Sequence, residues 1–299
     1  MAAVLNFKLK KIIPSRKAIG YTVYIVGITA FFLYFLFPSD AVKGYVAYQL
    51  GRVDPDIDIS IDRVSPVMPP GIKLHDVGIS RGNRTLINLK SVKITPELLS
   101  IFSSKKTARF RGRLHAGIID GWVEIDNRND QRTEKIEGTI SDVRVQTIPV
   151  LKHLTPHKIS GNLGGDFTIG SAGPRRSMTG KLTLSDCLID FDQPIIGQSS
   201  LSFKNINAEL VLNKGTLVIK KFRARGNQLN ADISGTIALN RSGRGNALNL
   251  NGSVTPHHGF LAKIGNSIPA DLLQQKKAGK TTISFIIGGT VEAPDFRID

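Results

Sequence analysis

The stretch LNADISGTIALN, residues 229–240, decides the fold class because its apolar and polar residues alternate. One parity carries Leu229, Ala231, Ile233, Ile237 and Leu239, and the other carries Asn, Asp, Ser and Thr. A period of two places successive side chains on opposite faces of a β-strand. The stretch therefore predicts a strand with one apolar face and one polar face.

Two later stretches repeat the pattern, LNLNGSV at 248–254 and ISFIIGGTV at 283–291. Whatever covers their apolar faces bears on what the protein does. Nine apolar residues of these three stretches are the candidate groove residues: Leu229, Ile233, Ile237, Leu239, Leu248, Leu250, Ile283, Phe285 and Ile287.

A short phrase of small residue, glycine, polar residue and apolar residue recurs along the chain. It reads EGTI at 137, SGNL at 160, TGKL at 179, SGTI at 234, NGSV at 251 and GGTV at 288. The irregular spacing excludes a strict solenoid period. Because glycine inside a strand marks a bulge, a bend or the close approach of another backbone, the phrase predicts a curved sheet.

The body of the chain, residues 56–299, is predicted to be mainly β, with about a dozen strands at hairpin-like spacing and no βαβ alternation. That spacing predicts antiparallel pairing. Short helices are expected at 39–53, 96–102, 147–154, 257–265 and 269–279. The alternation fits either a β-sandwich or one long curved sheet that forms an open trough, partly covered by short helices and lipid chains.

A transmembrane helix is predicted for residues 18–37, which contain no acidic or basic residue. Twenty helical residues span about 30 Å, the thickness of a bilayer core. The run ends in FLYFLFPSD and not in small residues, which argues against a cleaved signal peptide. The predicted anchor includes Ala18, Tyr21, Tyr24, Phe31, Phe32, Tyr34 and Phe37, with the tyrosines in the headgroup layers.

The charged residues on either side of this helix predict its orientation in the membrane. Five basic residues precede it within residues 1–17, which are predicted to stay in the cytoplasm. A membrane-proximal segment, residues 38–55, then leads to a body in the bacterial periplasm. The residues after 37 include 35 basic and 24 acidic ones, a balance that suits anionic lipid as well as nucleic acid. The predicted location and the lack of any nucleic-acid-binding motif exclude nucleic acid.

The sequence offers no pattern typical of a metal site or of catalysis. His153 and His157 stand four apart with a proline between them, and no cysteine or carboxylate cluster accompanies them. GPRRSMTGK at 173–181 has six residues between its glycines, where a phosphate loop has four. Cys187 is expected to be a small buried residue, and Asp186, Asp190 and Asp192 a solvated edge. We therefore expect no enzyme and no cofactor.

Several stretches resemble the type II secretion system protein N (GspN) family, in the form whose body looks like the AsmA family. They are the N-terminal span, PPGIKLHDVGIS, PELLSIF, TIPVLKHLTPHKISGNLGGDFTIG and FIIGGTVEAPDFRI, so the resemblance covers nearly the whole chain. It implies an inner-membrane anchor, a β-rich periplasmic body, and either an accessory role in protein secretion or the moving or sensing of phospholipid. It implies no binding residue.

Two functions follow as expectations. The first is a non-enzymatic component of the type II secretion system, anchored in the inner membrane, whose body contacts other secretion-system envelope proteins or lipid. The second is a lipid-binding or lipid-transfer module, in which the candidate groove residues face phospholipid acyl chains and Arg223 and Arg225 lie near the headgroups.

Overall fold

The computed structural model of the protein describes residues 16–51, 57–68, 70–82, 84–126, 133–151, 157–172, 175–195, 198–240, 245–260 and 282–298. The first described elements are two α-helices, α1 (Arg16–Phe35) and α2 (Ser39–Gly51). Fourteen strands follow, β1 to β14 in chain order: Ile57–Val67, Gly71–Arg81, Arg84–Pro96, Lys105–Arg113, Ile118–Asp126, Thr133–Arg144, Lys158–Ala172, Arg175–Ile195, Gln198–Asn213, Thr216–Gly226, Leu229–Ala238, Ala247–Pro256, Ile283–Gly289 and Pro294–Ile298.

The strands form one open antiparallel sheet in which each strand pairs with its neighbours in the chain. β1 and β14 are its two edges. Strands that are consecutive in the chain are thus neighbours in the sheet, as their hairpin-like spacing predicts. A β-sandwich requires two stacked sheets. The β-sandwich alternative is therefore wrong, and the prediction of one long antiparallel sheet is confirmed.

Three strands contain an aspartate with positive φ within a related sequence, LHDVGI at 74–79, ISDVRV at 140–145 and LSDCLI at 184–189. The φ angles of Asp76, Asp142 and Asp186 are 47°, 53° and 50°. Aspartate adopts this left-handed conformation more readily than most residues because its short side chain bonds locally. The change of direction lets apolar residues three positions apart pack in one cluster. Leu74 and Val77 are such a pair.

The main hydrophobic cluster lies on β1 to β3, with contributions as far as β7, and α2 packs on it. Val64 and Leu74 at its centre are each only 2% exposed. Phe37 and two valines of α2, Val42 and Val46, supply the cover. A second, smaller cluster comprises Cys187, Phe203, Ile206 and Ala224 on β8 to β10.

The helix predicted at 39–53 is confirmed as α2. The short helix predicted at 96–102 is confirmed as a 3₁₀ turn, Leu98–Phe102, between β3 and β4. Another 3₁₀ turn, Val145–Thr147, precedes most of the helix expected at 147–154. Most of 257–265 and the whole of 269–279 lie outside the described residues.

Over the part of the chain that the structure describes, no helix is both long and apolar enough to cross a membrane.

The boundary of the predicted anchor needs one correction. α1 ends at Phe35 because Pro38 disfavours helical backbone at the residue before it. Phe37 packs against the hydrophobic cluster of the sheet, so it belongs to the body of the protein and not to α1. Of the other predicted anchor residues, Ala18, Tyr21, Tyr24, Phe31, Phe32 and Tyr34 are exposed on α1.

Candidate apolar binding face

Eight of the nine candidate groove residues lie on β11, β12 and β13, and the register of these strands brings them together. Ile237 is opposite Leu248, and Leu250 is opposite Ile287. Ile233 and Phe285 flank a glycine of the strand between them. Since cross-strand partners project from the same face, the residues chosen by parity form one continuous surface.

This surface is incompletely covered. Leu250 is 9% exposed, and the seven other candidates on the strands are half-buried. Leu239 lies just beyond β11 and is 40% exposed. A packed core leaves its central side chains almost inaccessible, as at Val64. The candidate face is therefore apolar but does not have the burial of a closed core.

The register extends the apolar face over the entire sheet, in two adjacent rows that run across the strands. The first row consists of Pro66, Ile72, Ile94, Phe110, Gly121, Gly138, Phe167, Gly180, Leu210, Ile219, Gly235, Leu250, Ile287 and Phe296. The second row consists of Val64, Leu74, Val92, Gly112, Ile119, Ile140, Gly165, Leu182, Ala208, Phe222, Ile233, Gly252, Phe285 and Ile298.

These two apolar rows contain no polar side chain at any of their positions on the fourteen strands. At about 4.8 Å between neighbouring strands, each row is about 60 Å long. An ordinary half-solvated sheet needs an apolar face only where another layer covers it. An uninterrupted apolar strip of this length is the main feature of the face.

Two glycines in the rows serve as seats for aromatic rings. The ring of Phe167 lies over Gly138, where an added Cβ would come within 2.5 Å of it. The ring of Phe285 covers Gly252 in the same way, and a Cβ added at Gly252 would come within 2.3 Å of that ring. The recurring glycine phrase thus marks close approaches at these two positions, because any larger residue would displace the ring.

The opposite face of the same strands is polar and internally paired. Asp232 accepts a hydrogen bond from Arg225 at 2.9 Å and lies 3.4 Å from the Arg223 guanidinium. Both arginines alternate with Phe222 and Ala224 of the apolar face. They are therefore on the face away from the candidate groove residues.

Polar and apolar side chains also lie on opposite faces in other parts of the sheet. Lys105 pairs with Glu124 at 2.8 Å, and Thr139 donates to Asp166 at 2.8 Å. The Arg109 guanidinium stacks on the Trp122 ring, 4.3 Å from its centre. Such exposed pairs contribute little stability individually, but they define which face meets water.

The groups considered for chemistry do not converge. Among the described residues, no three His, Cys, Asp or Glu side chains are grouped so as to hold a metal ion. His153 is outside the described residues, and His257 and His258 are exposed. Cys187 is 2% exposed, as expected, and burial raises the pKa of its thiol.

Parity within three stretches did not find most of the face. Phe167, Leu210, Ile219 and Phe222 occupy its middle, and none of them lies in the three stretches. The repeated aspartate sequences are the signal that could have located the shifts of parity, because each one changes which residues face the apolar side.

The sheet defines a class of protein with an extended β-structure that has one apolar and one polar face. No family model matches the chain, and neither a curated protein nor a solved structure is significantly similar to it.

Proposed function

We propose that the protein is a non-enzymatic component of the bacterial cell envelope whose apolar face binds the acyl chains of phospholipid. The observation that carries this proposal is the pair of apolar rows, uninterrupted over fourteen strands and mostly half-buried. Burying apolar surface contributes about 25 cal/mol per Å². Acyl chains suit such a strip because they are long, apolar and need no specific polar partner.

The proposal includes a curved sheet, so that the apolar face lines a trough. Ladder irregularities between Ile140 and Val143, between Ser160 and Asn162, and between Ile219 and Phe222 support it. Irregularities of this kind bend a strand and increase its twist. A trough would shield the acyl chains from water while the paired polar face stays solvated.

We place the protein in the inner membrane, with residues 1–17 cytoplasmic and the sheet in the periplasm. This part rests on the sequence of residues 18–37, which carries no charge, and on the basic residues before it. Resistance of the full chain to alkaline carbonate extraction tests the anchor, and protection of the sheet from external protease in intact spheroplasts would contradict the orientation.

A role within the type II secretion system is the second candidate, based on the resemblance of the sequence. The free edge at β14 favours a protein partner, since Phe296 and Ile298 are 66% and 57% exposed there. An edge strand offers unpaired backbone groups to a partner strand. Deleting the gene and measuring secreted enzymes in the medium tests this role, and normal secretion would exclude it.

Lipid binding is tested by photo-crosslinking in living cells with the full chain. A benzophenone amino acid replaces Ile237 on the apolar face, and in the matched control it replaces Ser234, which is exposed on the other face of the same strand. We expect phospholipid adducts at position 237 and not at position 234. Absence of adducts at 237, or equal adducts at both positions, would contradict lipid binding on this face.

A further inference from the structure

The turn between β3 and β4 exposes large apolar side chains to an unusual degree. Leu98, Leu99 and Phe102 are 50%, 82% and 91% exposed. Phe102 is the most exposed large apolar side chain among the described residues. A solvated hairpin turn is normally built from Gly, Asn, Asp and Ser, so these residues indicate a surface that leaves water.

The turn is firmly held in this arrangement by its own polar atoms. The Glu97 amide donates to the Thr107 carbonyl at 2.9 Å, which continues the β3–β4 pairing. Ser100 Oγ accepts from the Thr107 amide at 3.0 Å and donates to the Glu97 carbonyl at 2.6 Å. The polar groups are thus satisfied on the inner side, while the leucines and the phenylalanine point outward.

A second exposed apolar residue lies at the same end of the sheet. Met68, which follows β1, is 73% exposed. The β1–β2 and β3–β4 turns are two strand spacings apart, about 10 Å. The two turns therefore form one apolar tip, which we define as Met68 and Leu98–Phe102.

The helices approach the sheet from this same end. α2 packs on β1, and only five residues join them, so they run antiparallel. The Lys43 ammonium donates to the Asp62 carbonyl at 2.8 Å and fixes this packing. The start of α2, three residues after α1, therefore points toward the end of the sheet that carries the apolar tip.

The strands behind the tip are basic. Residues 57–113, which include β1 to β4, contain eleven Lys and Arg against four Asp and Glu. Residues 118–144, which include β5 and β6, contain four against seven. The first four strands thus carry a net positive charge and the next two a net negative one, so the part of the sheet that bears the tip complements an anionic membrane surface.

From these observations we propose that the apolar tip inserts into the boundary between headgroups and acyl chains of an anionic phospholipid bilayer. The tip is a second contact with the membrane, in addition to the anchor proposed above for residues 18–37, and holds the basic end of the sheet against it. This inference goes beyond acyl-chain binding on the apolar face, because it concerns the end of the sheet and not its face.

The test uses single indoles in the full chain, reconstituted into vesicles of brominated phosphatidylcholine with and without phosphatidylglycerol. Trp122→Phe removes the native indole, and Phe102→Trp places one in the tip. The matched control is His115→Trp, at the exposed β4–β5 turn on the opposite end of the sheet. We expect bromine to reduce emission from position 102 by half or more, with stronger quenching when anionic lipid is present, and to leave position 115 nearly unchanged.

Unquenched emission from position 102 would overturn the proposal and leave the tip to a protein partner. Equal quenching at both positions would also overturn it, since the whole surface would then adsorb. Crosslinking at position 237 is measured separately, so failure of the tip and failure of acyl-chain binding are distinguishable.

Discussion

The start and the end of the sheet share one alternating pattern but are buried to different degrees. On β1 and β2, where α2 covers the sheet, Val64 and Leu74 are each 2% exposed. On β11 to β14 the same two rows are half-buried at Ile233 and Phe285 and fully open at Phe296, which is 66% exposed.

The difference shows that alternation marks a face but does not decide what covers it. A helix covers the first strands and turns their face into a core. Over the later strands, no described element packs on the rows in the same way. The uncovered length is the part of the sheet that we assign to lipid.

The largest expected effect on the free energy of unfolding comes from truncating a leucine, and we compare one leucine in each region. Leu74→Ala should lower the free energy of unfolding by about 2–5 kcal/mol, because it leaves a cavity under α2. Leu248→Ala, at a half-buried position, should cost about 1 kcal/mol. Urea denaturation of both variants measures the contrast. Equal losses would mean that the later strands are covered as well.

Removing the cover is the next test. Val46 of α2 packs on the cluster, and Val46→Asp should destabilise β1 and β2 by about 2–3 kcal/mol because a charge is forced onto an apolar surface. Amide hydrogen exchange should accelerate there and stay unchanged in β11 and β12. Tyr45→Asp, at a residue 64% exposed, is the control and should have little effect. Faster exchange throughout the sheet would show that the two regions unfold as one unit.

A smaller change in the free energy of unfolding is expected at the aspartates with positive φ, which let apolar residues three positions apart pack in one cluster. Asp142→Val should cost about 1–2 kcal/mol, since a β-branched residue tolerates a φ of 53° poorly. Asp142→Gly should be nearly neutral, because glycine adopts positive φ without strain. Thermal unfolding distinguishes the two variants. A similar loss in both would assign the cost to the aspartate side chain and not to the backbone.

The smallest expected effect is on the pH dependence of stability, through Cys187 in the second hydrophobic cluster. Burial raises the pKa of the Cys187 thiol in the folded protein, so the neutral thiol is favoured there. Its contribution to stability is complete below the pKa of the unfolded chain, about 9, and is lost as the pH rises through the folded value. The urea midpoint should therefore fall more between pH 8 and 10 in the wild type than in Cys187→Ala. Identical slopes would indicate that the second cluster opens to solvent.

The sequence predicted most of the local structure correctly. LNADISGTIALN and LNLNGSV became strands, and PELLSIF became a helical turn, because alternation and turn residues act over a few neighbouring positions. The groove residues share one face for the same reason. The functional proposals drawn from resemblance stay predictions.

Features that depend on the register between strands could not be predicted from the local sequence pattern. The seating of Phe167 on Gly138 joins residues 29 positions apart in different strands. The place of Phe37 in the sheet cluster required the approach of α2, and the position of Arg223 and Arg225 away from the groove required the shift at Ile219. Each depends on how strands align, which local composition does not encode.

The sequence by itself determined that this protein is built from strands with one apolar and one polar face, since side-chain direction in a strand follows from its backbone repeat of two. Only the tertiary structure decided that fourteen such strands join in one open sheet and align their apolar residues into two continuous rows. It also decided that a helix covers the first strands and not the later ones. Coverage requires contact between segments distant in the chain, so the same alternation becomes a core at Leu74 and an accessible apolar surface at Ile233.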